Sequence, residues 1–287
     1  MNPQLNTNPL LLLARATTQT KPNMKPMETT MTTTNTAPDY AAIKTKQNTA
    51  WSSGDYAKIG TTLQITGEEL AEAVNPAPGS KVLDVAGGNG NATLAFARRW
   101  TDVTSTDYVQ SLLDSGRMRA EVEGFDVQFQ TADAENLPFD DASFDIVTST
   151  FGVMFTPNQK QAASELMRVC RSGGKIALAN WTPESFIGAL FKTLGKNVPP
   201  PPGVQSPALW GSKKWIGETF ASDAAEISIE MKNFNFRYRS PEHFIEFFRT
   251  FYGPVHKAFL ALDEGGQQKL DNDIRETIAR FNVATDK

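Results

Sequence analysis

Short apolar runs alternate with stretches of helical spacing through the middle of the chain. Residues 81–85, 103–106, 127–130, 144–149 and 175–181 are apolar runs of strand length. Between them, apolar residues recur every three or four positions, which is the spacing of a helix with one buried face. Strands that alternate with helices in this way pair in parallel through right-handed crossovers. The pattern therefore predicts five parallel strands.

The rhythm changes after the fifth strand. Apolar and polar residues alternate along residues 226–238, with a polar Lys232-Asn233 pair in between, which predicts an antiparallel hairpin at the sheet edge. Helical patterns fill residues 40–75 and the end of the chain. We therefore predict an α/β, Rossmann-like, seven-stranded and mostly parallel sheet with helices on both faces, an antiparallel edge hairpin and a helical lid.

Residues 1–38 differ in composition from the rest of the chain. They are rich in threonine and proline, and their only acidic residue is Glu28. Such a segment buries too little apolar surface to offset the entropy of ordering, so we predict a disordered tail. A cytoplasmic location is expected; the alternative is an organelle, if this acid-poor segment is a transit peptide.

Composition excludes several classes of function. The net charge is −4, so no basic field attracts nucleic acid. Cys170 is the single cysteine, which excludes an internal disulfide and a cysteine-rich zinc site. The two histidines, His243 and His256, have no carboxylate spacing that predicts a metal site. No apolar run is long enough to span a membrane. A small-molecule partner is expected, and the oligomeric state is left open.

The turn after the first strand carries the strongest chemical signal. Asp84 precedes the small residues 86–90, and a helical pattern follows directly. This strand–turn–helix is typical of nucleotide cofactor sites, where small residues let the backbone approach the ligand. A dinucleotide fingerprint would need glycine in place of Thr93, and no P-loop lysine follows. The Asp84 carboxylate would repel a pyrophosphate but suits an ammonium or a sulfonium, which favours S-adenosylmethionine over NAD or ATP.

Two further acidic residues follow the next strands. Asp107 ends the second strand, where its carboxylate can accept both hydroxyl groups of a ribose. Asp133 follows the third strand and can accept from the exocyclic amine of adenine, and the Ala134 amide can donate to a ring nitrogen. The ribose contact alone fits NAD as well. All three carboxylates together fit S-adenosylmethionine better.

With these residues, the chain resembles the class I S-adenosylmethionine-dependent methyltransferases, in the group that includes the quinone-biosynthesis C-methyltransferases. The resemblance covers about residues 51–181 and depends on the order and spacing of five weak motifs. They are Val82-Leu83-Asp84-Val85-Ala86-Gly87-Gly88-Asn89-Gly90, Thr106-Asp107, Ala132-Asp133-Ala134-Glu135-Asn136-Leu137-Pro138-Phe139, Phe144-Asp145-Ile146-Val147 and Arg171-Ser172-Gly173-Gly174-Lys175. Ala86 replaces the usual first glycine, and Ser172 replaces a common proline.

The resemblance implies a set of cofactor-binding positions. Tyr108 would lie along the adenine, and Ser149 and Thr150 would border the transferred methyl group. The full implied pocket consists of Asp84, Ala86, Gly88, Gly90, Asp107, Tyr108, Asp133, Ala134 and Thr150. No catalytic residue is identified, because an activated methyl donor mainly needs positioning and the exclusion of water.

The expected activity is methyl transfer to a small acceptor, apolar or aromatic because residues 181–256 are rich in aromatics. The alternatives are an NAD- or nucleotide-binding enzyme of the same fold and a non-catalytic cofactor-binding module. The phenylalanines from Phe244 to Phe251 have helical spacing and are expected in the core, with a substrate wall as the alternative. Trp51 and Tyr56 could fold over the methionine end of the cofactor. We expect a single methyltransferase domain over 39–287, with a cofactor-binding core at about 76–181, a substrate lid from 40–75 and 182–225, and the hairpin and C-terminal helices in 226–287.

Overall fold

The computed structural model describes residues 4–7, 9–16 and 38–284. Its strands are β1 (Gln4–Thr7), β2 (Pro9–Ala16), β3 (Lys81–Val85), β4 (Asp102–Asp107), β5 (Gln128–Thr131), β6 (Phe144–Thr150), β7 (Cys170–Trp181), β8 (Ala224–Met231) and β9 (Phe234–Arg237). The helices are α1 (Tyr40–Ser52), α2 (Tyr56–Thr61), α3 (Gln64–Val74), α4 (Asn91–Ala97), α5 (Gln110–Glu123), α6 (Gln159–Val169), α7 (Phe186–Asn197), α8 (Lys213–Phe220), α9 (Pro241–Phe251), α10 (Gly253–Leu260) and α11 (Glu264–Phe281), with 3-10 turns at Val153–Phe155 and Pro207–Gly211.

Seven strands form one sheet in the order β5-β4-β3-β6-β7-β2-β8. Strands β3 to β7 pair in parallel, and β2 is antiparallel to both of its neighbours. The predicted α/β, Rossmann-like and mostly parallel sheet is therefore confirmed. Inner strands of such a sheet are buried on both faces, and Val82, Leu83 and Val85 of β3 are fully buried.

The strand order reverses beside β3, which lies between β4 and β6. The chain moves outward through α4 and α5 to β5, then returns and moves the other way through α6 to β7. Right-handed crossovers that run in opposite directions place their helices on opposite faces of the sheet. The connections that follow β3 and β6 leave toward opposite faces of the sheet at this reversal. The crevice between them is where α/β sheets hold their ligands.

The prediction of a disordered tail over residues 1–38 is wrong for residues 4–7 and 9–16. β2 lies inside the sheet between β7 and β8, and Leu10 and Leu12 are fully buried. The physical reason is the uninterrupted apolar run Leu10–Leu13, which suits a strand buried on both faces. The remainder of the predicted tail, up to residue 37, lies outside the described residues.

The predicted antiparallel pair at the sheet edge is present, but its members differ from the prediction. β8 is the edge strand and pairs with β2, whereas β9 pairs with β1 in a separate two-stranded ladder. Residues 226–238 therefore do not fold back as a hairpin. They extend past Lys232-Asn233 alongside the N-terminal strands, because β1 and β2 already occupy the partner positions.

The double glycine at 173–174 lies near the start of β7. α6 stops at Val169, and Cys170 begins β7, with Gly173 in the left-handed region at φ 73°. A register shift in the β6–β7 pairing accompanies this start of the strand. Cys170 is a buried core residue. Within the described residues, no helix has the length and apolar character to cross a membrane.

Candidate functional site

An open cavity lies at the carboxyl ends of β3, β4, β5 and β6. Its walls come from the glycine turn after β3, the first residues after β4 and β5, the segment after β6, and the helices α1 and α2. The residues that line it are Lys44, Gln47, Trp51, Tyr56, Leu63, Thr66, Ala86, Gly87, Gly88, Asn89, Asn91, Asp107, Tyr108, Val109, Leu112, Ala132, Asp133, Ala134, Glu135, Thr150, Phe151, Gly152, Phe155, Thr156 and Pro157.

The glycine turn forms a cradle that a side chain would fill. Gly88 is in the left-handed region at φ 58°, and the ring of Tyr56 lies 3.9 Å from where its Cβ would stand. Gly87 has no room for a Cβ, because Asp84 Oδ2 and Ser105 Oγ lie 2.7 Å from that position. The turn thus presents backbone to the cavity, as a site for a nucleoside cofactor requires.

Asp107 is fixed by backbone amides at the end of β4. Its Oδ2 accepts from Gly88 N at 3.0 Å, and its Oδ1 accepts from Val109 N at 2.9 Å. The two oxygens together have four lone pairs, and the Tyr108 amide also approaches the carboxylate, so acceptor capacity remains for a ligand hydroxyl. Burial raises the pKa of Asp107 to about 6, although the backbone hydrogen bonds act in the opposite direction. This carboxylate lines the cavity and fits a ribose diol.

Asp84 lies beneath the turn and does not line the cavity. Its side chain is fully buried, and Oδ2 accepts from Thr93 Oγ1 at 2.6 Å. Oδ1 has no hydrogen-bond partner, and burial raises the pKa of Asp84 to about 7. The contact of this carboxylate with a positive group stays a prediction; in the structure its closest neighbours are Thr93 and the backbone at Gly87. Its surroundings indicate support of the turn from below.

Asp133 follows β5 and is engaged on both oxygens. Oδ1 accepts from Glu135 N at 2.9 Å, and Oδ2 accepts from Lys44 Nζ at 2.6 Å. Lys44 also lies 3.2 Å from Glu135 Oε2. Partial burial acts to lower the pKa of Lys44, but the bonds to these two carboxylates outweigh it and raise the pKa above its usual value. Ala134 lines the cavity next to this ion-pair cluster.

The part of the cavity wall that Ala86 and Phe151 form has a strained backbone. Ala86 and Phe151 both have positive φ, at 52° and 63°, which non-glycine residues seldom adopt. Gly152 fits between them because a Cβ there would lie 2.3 Å from the Ala86 carbonyl oxygen. Phe151 stacks on Trp181 with ring centroids 4.1 Å apart. Strain of this kind concentrates at functional sites, and here it shapes the wall beside Thr150.

Aromatic rings enclose another part of the cavity. Trp51 at the end of α1 contacts Tyr56, Phe155 and Tyr252, with ring centroids 5.4, 4.9 and 5.6 Å away. Burial, with the charge of Asp107 adding to it, holds the pKa of Tyr56 well above its usual value. The Tyr56 hydroxyl therefore stays protonated and can donate a hydrogen bond, but it is a poor general base.

The structure brings most of the sequence-predicted positions to this cavity. Those that line it are Ala86, Gly88, Asp107, Tyr108, Asp133, Ala134 and Thr150; Asp84 and Gly90 do not. Gly90 instead allows the left-handed start of α4. Sequence reasoning missed Lys44, Gln47 and Phe155. The signal for the first two was their spacing with Trp51 on one helical face.

The covering elements also differ from the expected lid. α1 and α2 contribute lining residues, whereas none of residues 182–225 does so. α3 contributes Thr66 to the lining, but most of its buried face, with Leu70, Ala71 and Val74, belongs to the core. Phe244 and Phe248 are buried as well and do not line the cavity, so the aromatic stripe is core. Within the part of the chain that the structure describes, no group of His, Cys, Asp or Glu could hold a metal ion.

Parts of this chain are similar to known proteins. The family model described as a methyltransferase domain matches residues 83–178. The uncharacterised protein Rv1403c of Mycobacterium tuberculosis is 36% identical over 207 residues, which cover 71% of this chain and 76% of that protein. A demethylmenaquinone methyltransferase of Renibacterium salmoninarum is 37% identical over 117 residues, covering 41% and 48%. The crystal structure of YcgJ from Bacillus subtilis is similar over 54% of this chain and 67% of its own, with 22% identity and a TM-score of 0.45.

Proposed function

The chain belongs to the class I S-adenosylmethionine-dependent methyltransferases, and on that premise we propose that it methylates a small, neutral, apolar or aromatic acceptor. The observation that carries the proposal is that one cavity is lined both by a few charged side chains and by a group of aromatic rings. The charged lining side chains, among the described residues, are Lys44, Asp107, Asp133 and Glu135. Lys44 forms ion pairs with Asp133 and Glu135, and backbone amides hold Asp107.

The charged side chains suit the nucleoside half of S-adenosylmethionine. We assign the ribose hydroxyls to Asp107, the adenine amine to Asp133, a ring nitrogen to the Ala134 amide, and the adenine face to Tyr108. The small residues Ala86 and Gly88 let the backbone approach the ligand. Bound there, the cofactor supplies a methyl group activated by its sulfonium. Thr150 borders the position where transfer would occur.

The aromatic rings suit an uncharged acceptor. Trp51, Tyr56 and Phe155 offer ring surface to the cavity, and the nearby carboxylate of Asp107 is already held by backbone amides. An acceptor carboxylate or ammonium would lose hydration without gaining a partner. The similarity to a demethylmenaquinone methyltransferase supports a quinol-like ring as one member of this class.

The chain's own contribution is positioning, the exclusion of water and one hydrogen-bond donor. The raised pKa of Tyr56 makes its hydroxyl a donor to the acceptor rather than a base. We therefore expect an acceptor whose reacting atom is nucleophilic without a strong base, such as an acidic phenol or an electron-rich ring carbon.

Calorimetry and an S-adenosylhomocysteine-release assay test the two halves of the proposal. Asp107→Ala should reduce S-adenosylmethionine affinity by about a hundredfold or more, because two charge-assisted hydrogen bonds are lost. Asp102→Ala is the matched control, since Asp102 is an exposed carboxylate at the other end of β4. In a panel of phenols, hydroquinones, amines and carboxylates, turnover should favour the first two. Unchanged affinity in Asp107→Ala would contradict the cofactor assignment, and preferred turnover of amines or carboxylates would contradict the acceptor class.

A further inference from the structure

One face of α1 runs along the whole cavity. Lys44, Gln47 and Trp51 line it, and Asn48 on the same face donates to the Tyr108 carbonyl oxygen at 2.8 Å. These positions follow the i, i+3, i+4, i+7 spacing of a helical face. No residue of α1 is buried. Besides the packing of its end against Tyr252 and Gly253, this helix is therefore held by contacts to the site.

The contacts of Lys44 concentrate on the residues assigned to adenine. Its ammonium lies 2.6 Å from Asp133 Oδ2 and 3.2 Å from Glu135 Oε2. Glu135 is buried, and its Oε1 accepts from Asn158 N at 2.7 Å. The Asp133 side chain is more exposed. Among the described residues, its carboxylate accepts only from Lys44 and from the Glu135 amide. Lys44 thus fixes the less constrained of two neighbouring carboxylates.

We propose that Lys44 is a positioning residue for adenine recognition, which holds the Asp133 carboxylate where it can accept from the exocyclic amine. This inference rests on the proposed function. Two carboxylates that share one cation would repel each other without it, and Asp133 is the one free to turn away. With Lys44 in place, each oxygen of Asp133, which lines the cavity, keeps a lone pair that can accept from a ligand. The same contact ties α1 to the adenine end.

The test compares two ligands that differ at the exocyclic group. S-adenosylhomocysteine offers an amine to Asp133, whereas S-inosyl-L-homocysteine offers a carbonyl oxygen that a carboxylate disfavours. The parent chain should prefer the first ligand in calorimetry. Lys44→Met should weaken S-adenosylhomocysteine binding by about tenfold, the usual scale for one charge-assisted hydrogen bond. It should change S-inosyl-L-homocysteine binding little, so that the ratio of the two affinities falls.

Two variants separate positioning from a general effect of charge or folding. Lys46→Met removes the same charge from the exposed side of the same helix and should leave both affinities unchanged. Lys44→Arg keeps a cation in reach and should restore most of the preference. In turnover, Lys44→Met should raise KM for S-adenosylmethionine far more than it lowers kcat.

The outcomes are distinguishable. Equal weakening of both ligands by Lys44→Met, with an unchanged ratio, would overturn the positioning role. So would parent-like affinity in Lys44→Met, or the same loss in Lys46→Met. If the parent chain failed to bind S-adenosylhomocysteine at all, the proposed function itself would fall, and this inference with it.

Discussion

The buried carboxyl of Asp84 makes the stability of this protein depend on pH in an unusual direction. Asp84 is fully buried under the glycine turn, with Thr93 as the one side chain bonded to it among the described residues. Burial raises its pKa from 3.8 to about 7, against the hydrogen bond from Thr93, and the charge of Asp107 adds to the rise. We choose Asp84→Asn as the perturbation, since asparagine keeps an oxygen for Thr93 but carries no charge.

The sign follows from proton uptake. Between about pH 4 and pH 7 the folded form holds the Asp84 proton and the unfolded form has lost it. Stability is therefore highest at the acidic side of this window and falls as pH rises through it. A rise from 3.8 to about 7 corresponds to ~4 kcal/mol in full. Of this stabilisation, ~2.5 kcal/mol is lost as the pH rises from about 5 to about 8.

Urea unfolding of the parent and of Asp84→Asn across that range measures the effect. The free energy of unfolding of the parent should fall by ~2.5 kcal/mol more than that of the variant. Asp140→Asn removes an exposed turn carboxylate and serves as the charge control. Parallel pH profiles for the parent and Asp84→Asn would refute the reasoning, because Asp84 would then titrate alike in both states.

Two other substitutions test the close packing of Gly152 on Ala86 and the importance of the N-terminal strand β2. Gly152→Ala places a Cβ 2.3 Å from the Ala86 carbonyl oxygen, so thermal melting should show a loss of stability and calorimetry a loss of cofactor affinity. Gly217→Ala on α8 meets nothing within 4 Å and should instead stabilise by about 0.5–1 kcal/mol; equal effects would contradict the packing argument. Leu12→Ala should lower the free energy of unfolding by about 2–4 kcal/mol, whereas a dispensable strand would tolerate it.

Local periodicity predicted the parallel sheet because its strands and helices follow one another along the chain. The same reasoning failed for β2, whose partners β7 and β8 lie far away in sequence. Leu10–Leu13 lies in a segment whose composition predicts disorder, although an uninterrupted apolar run of this length suits an inner strand. For residues 226–238 the alternation predicted strands correctly. Their pairing depended on β1 and β2, which the local pattern does not contain.

The candidate site, too, could be predicted from the sequence only in part. Chain order places a carboxylate at or after the ends of β3, β4 and β5, so Asp107 and Asp133 could be predicted to share one edge of the sheet. It does not determine what each carboxylate meets there. Thr93 and the backbone at Gly87 are the closest neighbours of Asp84, and Lys44 reaches Asp133 from a helix that precedes β3. A carboxylate at a strand end is therefore a candidate ligand contact only if the packing around it leaves a lone pair open to the cavity. Asp107 lines the cavity and meets that condition, whereas Asp84 does not line it.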